Sequence, residues 1–159
     1  MNPTIGRIAA VAATGLTLTA VAVYPQLSAR LTGEEIQLRV APVDPTDPFR
    51  GAYVDLQYPD LNRVGGESRA LEDGEPGDVF LTLRQKGDVW VGDSWSRTRP
   101  EQGPYLACTD RSWRVRCGIE SWFLPQDEAA EMEEAVGEGA IATVRVDGRG
   151  HAALVNVAG

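Results

Sequence analysis

Histidine, lysine and cysteine are nearly missing from this chain. Its 159 residues include one His, two Cys and, in Lys86, one Lys. A single His151 leaves no second imidazole for a relay, and two Cys with one distant His do not make a zinc site. The Gly-x-Ser-x-Gly elbow of many hydrolases is missing too, since Gly92–Asp93–Ser94–Trp95–Ser96 comes nearest and fails it. Basic charge is short: 15 Lys and Arg stand against 23 Asp and Glu, a net charge of −8. That balance excludes a nucleic-acid binder, which needs a basic face. No internal repeat occurs.

Charge is absent altogether from Ile8 to Ala29. The run from Ile8 to Tyr24 holds only apolar or small residues up to its closing Tyr, and about 20 such residues cross a bilayer core. A buried soluble helix would show a polar face at helical spacing, and none is present. A cleaved signal wants a small-x-small site past the run, where Leu27–Ser28–Ala29 has a large Leu27 instead. The segment therefore reads as a membrane anchor, with cleavage as the alternative, and Tyr24 suits the membrane–water interface. The expected organisation is an anchor over residues 1–30, in the bilayer through residues 8–29, and a domain over residues 31–159. The expected location is the cytoplasmic membrane, single-pass, with the C-terminal domain outside the cytoplasm.

Beyond the anchor the pattern is that of strands. Glu35–Val40, Ala52–Tyr58, Val79–Arg84, Asp88–Val91, Tyr105–Cys108, Arg114–Ile119, Ala140–Val146 and His151–Val157 read as strands, several of them alternating polar and apolar residues. Lys86–Gly87 and Asp147–Gly148–Arg149–Gly150 mark turns. Cys108 and Cys117 flank a short loop in the exported part, where such a pair is bridged more often than free; two buried thiols are the alternative. Pro125 opens a short helix with Asp127 and Glu128 in its first turn. The fold class is mainly β: a curled or barrel-like antiparallel sheet plus one short helix, with a two-layer sandwich as the alternative.

The densest chemistry lies in Pro42–Tyr58, "PVDPTDPFRGAYVDLQY". Pro45 and Pro48 fix φ and push Asp44 and Asp47 toward extended backbone. Those two aspartates can accept backbone N–H groups in Asx-turns, and Arg50 is the nearest cation to bridge them. Gly51 permits a close approach where the strand begins. In the helix after Pro125, Ala129, Met132 and Val136 form an apolar stripe that Glu133 interrupts. An ion pair from Glu133 to Arg50 would tie that helix to the bend; alternatively Glu133 reaches solvent at the stripe's edge.

Gly51–Ala52–Tyr53–Val54–Asp55–Leu56–Gln57–Tyr58 resembles the octapeptide of the GDYXXLXY family of bacterial membrane-anchored proteins. The lead-in Pro-x-Asp-Pro-x-Asp-x-x-Arg-Gly, the later Gly118–Ile119–Glu120–Ser121–Trp122–Phe123–Leu124–Pro125 and the closing Val144–Arg145–Val146–Asp147–Gly148 are similar to it as well. The resemblance implies an extracytoplasmic domain without established catalytic residues, of a kind found beside multi-pass membrane proteins. It marks Asp44, Asp47, Arg50, Gly51, Tyr53, Leu56 and Tyr58 as a binding or structural motif. The second motif position, an Asp in the family, is Ala52 here, so a reaction needing that carboxylate cannot run in this chain.

The function expected on these grounds is a non-catalytic interaction or assembly module working with a membrane protein partner. A cell-envelope hydrolase with a carboxylate pair is the alternative, since acids are plentiful. Asp44, Asp47 and Asp55 lack the spacing of a calcium loop, and neither a metal nor a cofactor is expected. Of the four Trp, Trp90 and Trp122 fall opposite the apolar faces of their segments, as a partner-facing surface would place them.

Overall fold

The first helix, α1 (Pro3–Thr32), carries no charge between Arg7 and Arg30. Its threonines turn their hydroxyls inward, Thr14, Thr17 and Thr19 donating to the carbonyls of Ala10, Ala13 and Gly15 at 2.9 Å each. This back-bonding satisfies the threonine hydroxyls within the helix itself. Val11 and Leu16 are each 74% exposed, and Ile8, Leu18 and Val21 are exposed as well. Over Gly6–Thr32 the helix is long and apolar enough to cross a membrane. The computed structural model describes residues 3–42, 53–62, 76–111, 114–123 and 139–158.

Nine strands and one short helix follow among those residues. They are β1 (Glu34–Pro42), β2 (Tyr53–Gln57), α2 (Pro59–Asn62), β3 (Gly77–Lys86), β4 (Val89–Ser96), β5 (Tyr105–Asp110), β6 (Val115–Arg116), β7 (Ser121–Phe123), β8 (Ala140–Val146) and β9 (Ala152–Ala158). They form two antiparallel sheets, one ordered β7-β2-β1-β8-β9 and the other β4-β3-β5-β6. The alternation in sequence becomes the inner faces. Ile36, Leu38 and Val40 of β1, Ala142, Val144 and Val146 of β8, and Val79, Leu81 and Leu83 of β3 are all buried in one core.

The mainly β expectation holds, but the sheets do not close into a barrel. The architecture is two-layered, and the pairing of β1 with β2 shows one reason. β1 matches β8 over Glu34–Val40, whereas it meets β2 only at Ala41↔Gln57 and Pro42↔Leu56. Proline has no N–H for the ladder, so the first sheet narrows there to a two-residue neck. The β2–β7 ribbon hangs from that neck, paired through Tyr53↔Phe123, Val54↔Trp122 and Asp55↔Ser121.

Several local expectations change. The strand expected over Arg114–Ile119 is only Val115–Arg116, because the N–H groups of Cys117 and Gly118 are taken by the Glu120 carboxylate. The helix α2 was not anticipated, although Pro59 at its start and Asp60 in its first turn suit a helix N-terminus.

The tryptophans are the clearest correction. Trp90, Trp95 and Trp122 are all half-buried against the core. In β4 the register slips at Thr82/Leu83, where Thr82 faces Ser94 and Leu83 faces Gly92, leaving Asp93 as an extra residue. That bulge puts Trp90 and Trp95, five apart, on the same inner face. Trp122 lies opposite Val54, on the side shared with buried Leu56 and Tyr58. The bend over residues 43–52, with Asp44, Asp47, Arg50 and Gly51, lies outside the described residues, as do Trp113 and the helix expected after Pro125 with Glu133.

Candidate functional site

Two constellations gather polar side chains. The first surrounds the end of the motif strand. Leu56 is buried, and its backbone N–H donates to the carbonyl of Glu120 at 2.8 Å. Tyr58, also buried, donates its hydroxyl to the carbonyl of Ile119 at 2.7 Å. Burial, and next to it the charge of Glu120, hold the Tyr58 phenol well above its usual titration range. It therefore stays protonated, a donor to Ile119, at any physiological pH. Tyr53 is placed opposite Phe123 by the strand register.

Glu120 closes this corner. One carboxylate oxygen accepts the N–H of Cys117 and the other that of Gly118, the latter at 3.0 Å. Two successive backbone donors of this kind form an anion-binding nest, and here the chain's own carboxylate fills it. Cys108 and Cys117 are bridged, S–S 2.01 Å, which fastens the same segment to β5. Cys108 is buried and Cys117 half-buried. Every bond described here ends on the protein itself, so this corner is a latch between β2, β7 and β5.

The second constellation joins α1 to the turn between β8 and β9. Asp147 is 6% exposed and organises that turn, one oxygen accepting the N–H groups of Arg149 at 2.9 Å and His151 at 3.0 Å. Its other oxygen accepts the Ser28 hydroxyl at 2.5 Å and lies 2.9 Å from Nδ1 of His151. Burial alone would raise the Asp147 pKa, but the donors from Ser28, His151 and the two backbone groups outweigh it and bring it below the usual carboxylate range. One turn earlier on the helix, Tyr24 accepts a hydrogen bond from a guanidinium nitrogen of Arg149 at 2.8 Å. The guanidinium carbon also lies 5.7 Å from the Tyr24 ring centre, and the His151 ring meets it edge-on at 6.4 Å.

Two glycines make this joint possible. A Cβ on Gly33 would run into the carbonyl oxygen of Ala29 and the backbone N of Val146, so helix and sheet meet here backbone to backbone. Gly150 has φ +81°, and a Cβ there would lie 2.5 Å from the Tyr105 ring and 2.9 Å from the N of Ala107. Its carbonyl accepts the N–H of Ala107 at 2.8 Å, while the Tyr105 hydroxyl reaches the carbonyl of Gly148 at 3.3 Å. The turn thus sits between the helix and the second sheet. Above Ser28, Arg30 donates to the carbonyl of Leu154 at 3.3 Å, and Arg145 donates to the carbonyl of Arg30.

Ser28, Asp147 and His151 are the residue types of a nucleophilic relay, but their order is wrong for one. Relay chemistry needs the imidazole between hydroxyl and carboxylate. Here Ser28 and His151 both bond to Asp147, and the serine proton points into the carboxylate. The arrangement holds two elements together. The sequence marked residues 147–150 as a turn, Asp147 and Gly148 as the end of a family-like segment, and His151 as the start of a strand. Ser28, a hydroxyl just past the apolar run, and Gly33, directly after the helix, were the available signals for the rest.

The chain belongs to the GDYXXLXY family: the family's sequence profile, described as GDYXXLXY protein, matches residues 16–157. That span includes the second half of α1 together with the β domain, so the helix and the sheets are matched as one unit. No curated protein and no solved structure matches the chain.

Proposed function

We propose that this member of the GDYXXLXY family is a membrane-anchored extracytoplasmic module that works beside a membrane protein partner without catalysing a reaction itself. The observation that carries the reading is the split character of α1. Its first part is apolar and exposed all round, with Val11 and Leu16 as examples. Its last turns are bonded to the domain through Ser28 and Arg30. A helix exposed in this way is stable in lipid or against other membrane helices, and its fastened end holds the β domain close to the membrane surface.

Three further observations support it. The motif residues Leu56 and Tyr58 donate their hydrogen bonds to neighbouring backbone. The buried acids among the described residues, Asp110 and Asp147, are tied to Arg97 at 2.6 Å and to Ser28 and His151. The Cys108–Cys117 bridge suits an oxidising compartment. The test is a membrane preparation in which the chain should resist alkaline carbonate extraction while its β domain is digested only by protease added from outside. Gentle detergent extraction should then bring down a multi-pass protein in fixed stoichiometry. Release by carbonate, or digestion only from the cytoplasmic face, would end the reading.

A further inference from the structure

The joint between α1 and the β8–β9 turn also fixes where a bilayer surface would lie, an inference that rests on the membrane-spanning reading above. Tyr24 stands eight residues before the end of α1 at Thr32, about 12 Å along the axis. From Ser28 onward the helix runs beside the domain, bonded at Asp147 and Leu154 and followed by the close approach of Gly33 to Val146. Before Tyr24, the uncharged stretch from Ile8 to Val23 is about 24 Å long at 1.5 Å per residue, and Arg7 stands at its far end, where a long side chain can reach back to the opposite surface. The domain's contacts with the helix therefore stop at Tyr24, where the uncharged and exposed stretch begins, and that is the level at which a bilayer surface would lie.

At that level the domain presents Arg149. The side chain is exposed, and its guanidinium is held over the Tyr24 ring with one nitrogen donating to the Tyr24 hydroxyl. A guanidinium has five N–H donors in a planar fork that matches phosphate oxygens, so most remain available. Among the described residues no carboxylate forms an ion pair with it. Asp147, the nearest acid in the turn, accepts the backbone N–H of Arg149, and its other bonds go to Ser28 and His151. We propose that Arg149, steadied by Tyr24, binds the phosphate of an anionic phospholipid in the leaflet against which the domain sits. A domain belonging to a chain of net charge −8 would otherwise be repelled by an anionic surface, and this contact places a cation at the point of closest approach.

The test uses the full chain in nanodiscs of phosphatidylcholine alone and of phosphatidylcholine mixed with phosphatidylglycerol. Amide hydrogen exchange is followed in the turn over residues 147–151. The expected result is slower exchange in the anionic discs, roughly fivefold, declining as salt is raised. Arg149→Gln should abolish the difference with β8 and β9 still protected, and Arg149→Lys should keep part of it. Equal exchange in the two discs, a difference insensitive to salt, or one that survives Arg149→Gln would overturn the proposal. Should Arg149→Gln fail to fold, the salt series on the parent chain and Arg149→Lys decide it. A chain that alkaline carbonate strips from membranes would instead refute the spanning reading, and this site with it.

Discussion

The latch at the end of β2 and the joint at the base of α1 are built around the same device, a carboxylate that accepts two backbone N–H groups. They differ in what else that carboxylate holds. Glu120 caps Cys117 and Gly118, two and three residues away, within a segment already stapled by a disulfide. Asp147 caps its own turn and also takes Ser28, which is 119 residues away in sequence. The first is local and covalently reinforced. The second is a long-range contact whose strength depends on one ionised group, so the two should respond differently to substitution and to pH.

The largest effect is expected where the joint meets the second sheet. Gly150→Ala would combine a strained positive φ with a collision against the Tyr105 ring and the Ala107 backbone, costing roughly 3–4 kcal/mol. Denaturant unfolding of the detergent-solubilised chain would measure it; an unchanged midpoint would mean that the turn is not clamped. Next comes the latch. Replacing Cys108 and Cys117 together by Ser opens a loop with a sequence separation of 9, a loss of about 2–3 kcal/mol. That loss should be independent of pH across the neutral range.

The joint should show the opposite signature. The Asp147 carboxylate has a folded pKa below its unfolded value, so its contribution is complete above about pH 4 and disappears as pH falls through the lower, folded value. Asp147→Asn should cost about 2 kcal/mol at neutral pH and remove this acid limb from the stability profile. An acid limb unchanged in the variant would assign it to other carboxylates. The smallest effect belongs to Tyr58→Phe, which deletes one buried hydrogen bond worth about 1 kcal/mol but leaves the Ile119 carbonyl without that donor. Since the folded pKa of Tyr58 is raised, its contribution is complete below about pH 10 and declines above it. The variant should therefore blunt the alkaline loss of stability, and an identical alkaline profile would place the responsible group elsewhere.

The same contrast explains what could be read from the amino-acid order. β1 and β8 were legible because each alternates over five or more residues with one face in the core, as Ile36, Leu38 and Val40 do, and β3 from its apolar run before the Lys86–Gly87 turn. The membrane-length helix was legible from composition alone. The short length of β6 was hidden, because the Glu120 side chain competes for amides that a strand ladder would use. The inward turn of Trp90 and Trp95 was hidden by a single extra residue, Asp93, that inverts the alternation. The joint was hidden for a different reason. Nothing local to Ser28 or Asp147 announces that one will meet the other, since their pairing follows from how α1 leaves the membrane-length run and how β8 ends beside it. The motif strand itself was placed correctly, with Leu56 and Tyr58 inward, whereas Asp44, Asp47, Arg50, Gly51 and Glu133 fall outside the described residues.

Pro25 gives the grip on α1 a mechanical meaning. A proline inside a helix lacks the N–H that would reach back one turn, and such a position ordinarily acts as a hinge. Tyr24 is held by Arg149 immediately below it and Ser28 by Asp147 just above, so the β8–β9 turn splints the hinge on both sides. Helix and domain are thereby held as one piece, so that under the membrane-spanning reading proposed above a change in helix tilt would carry the β domain with it, like a mast stepped in a deck.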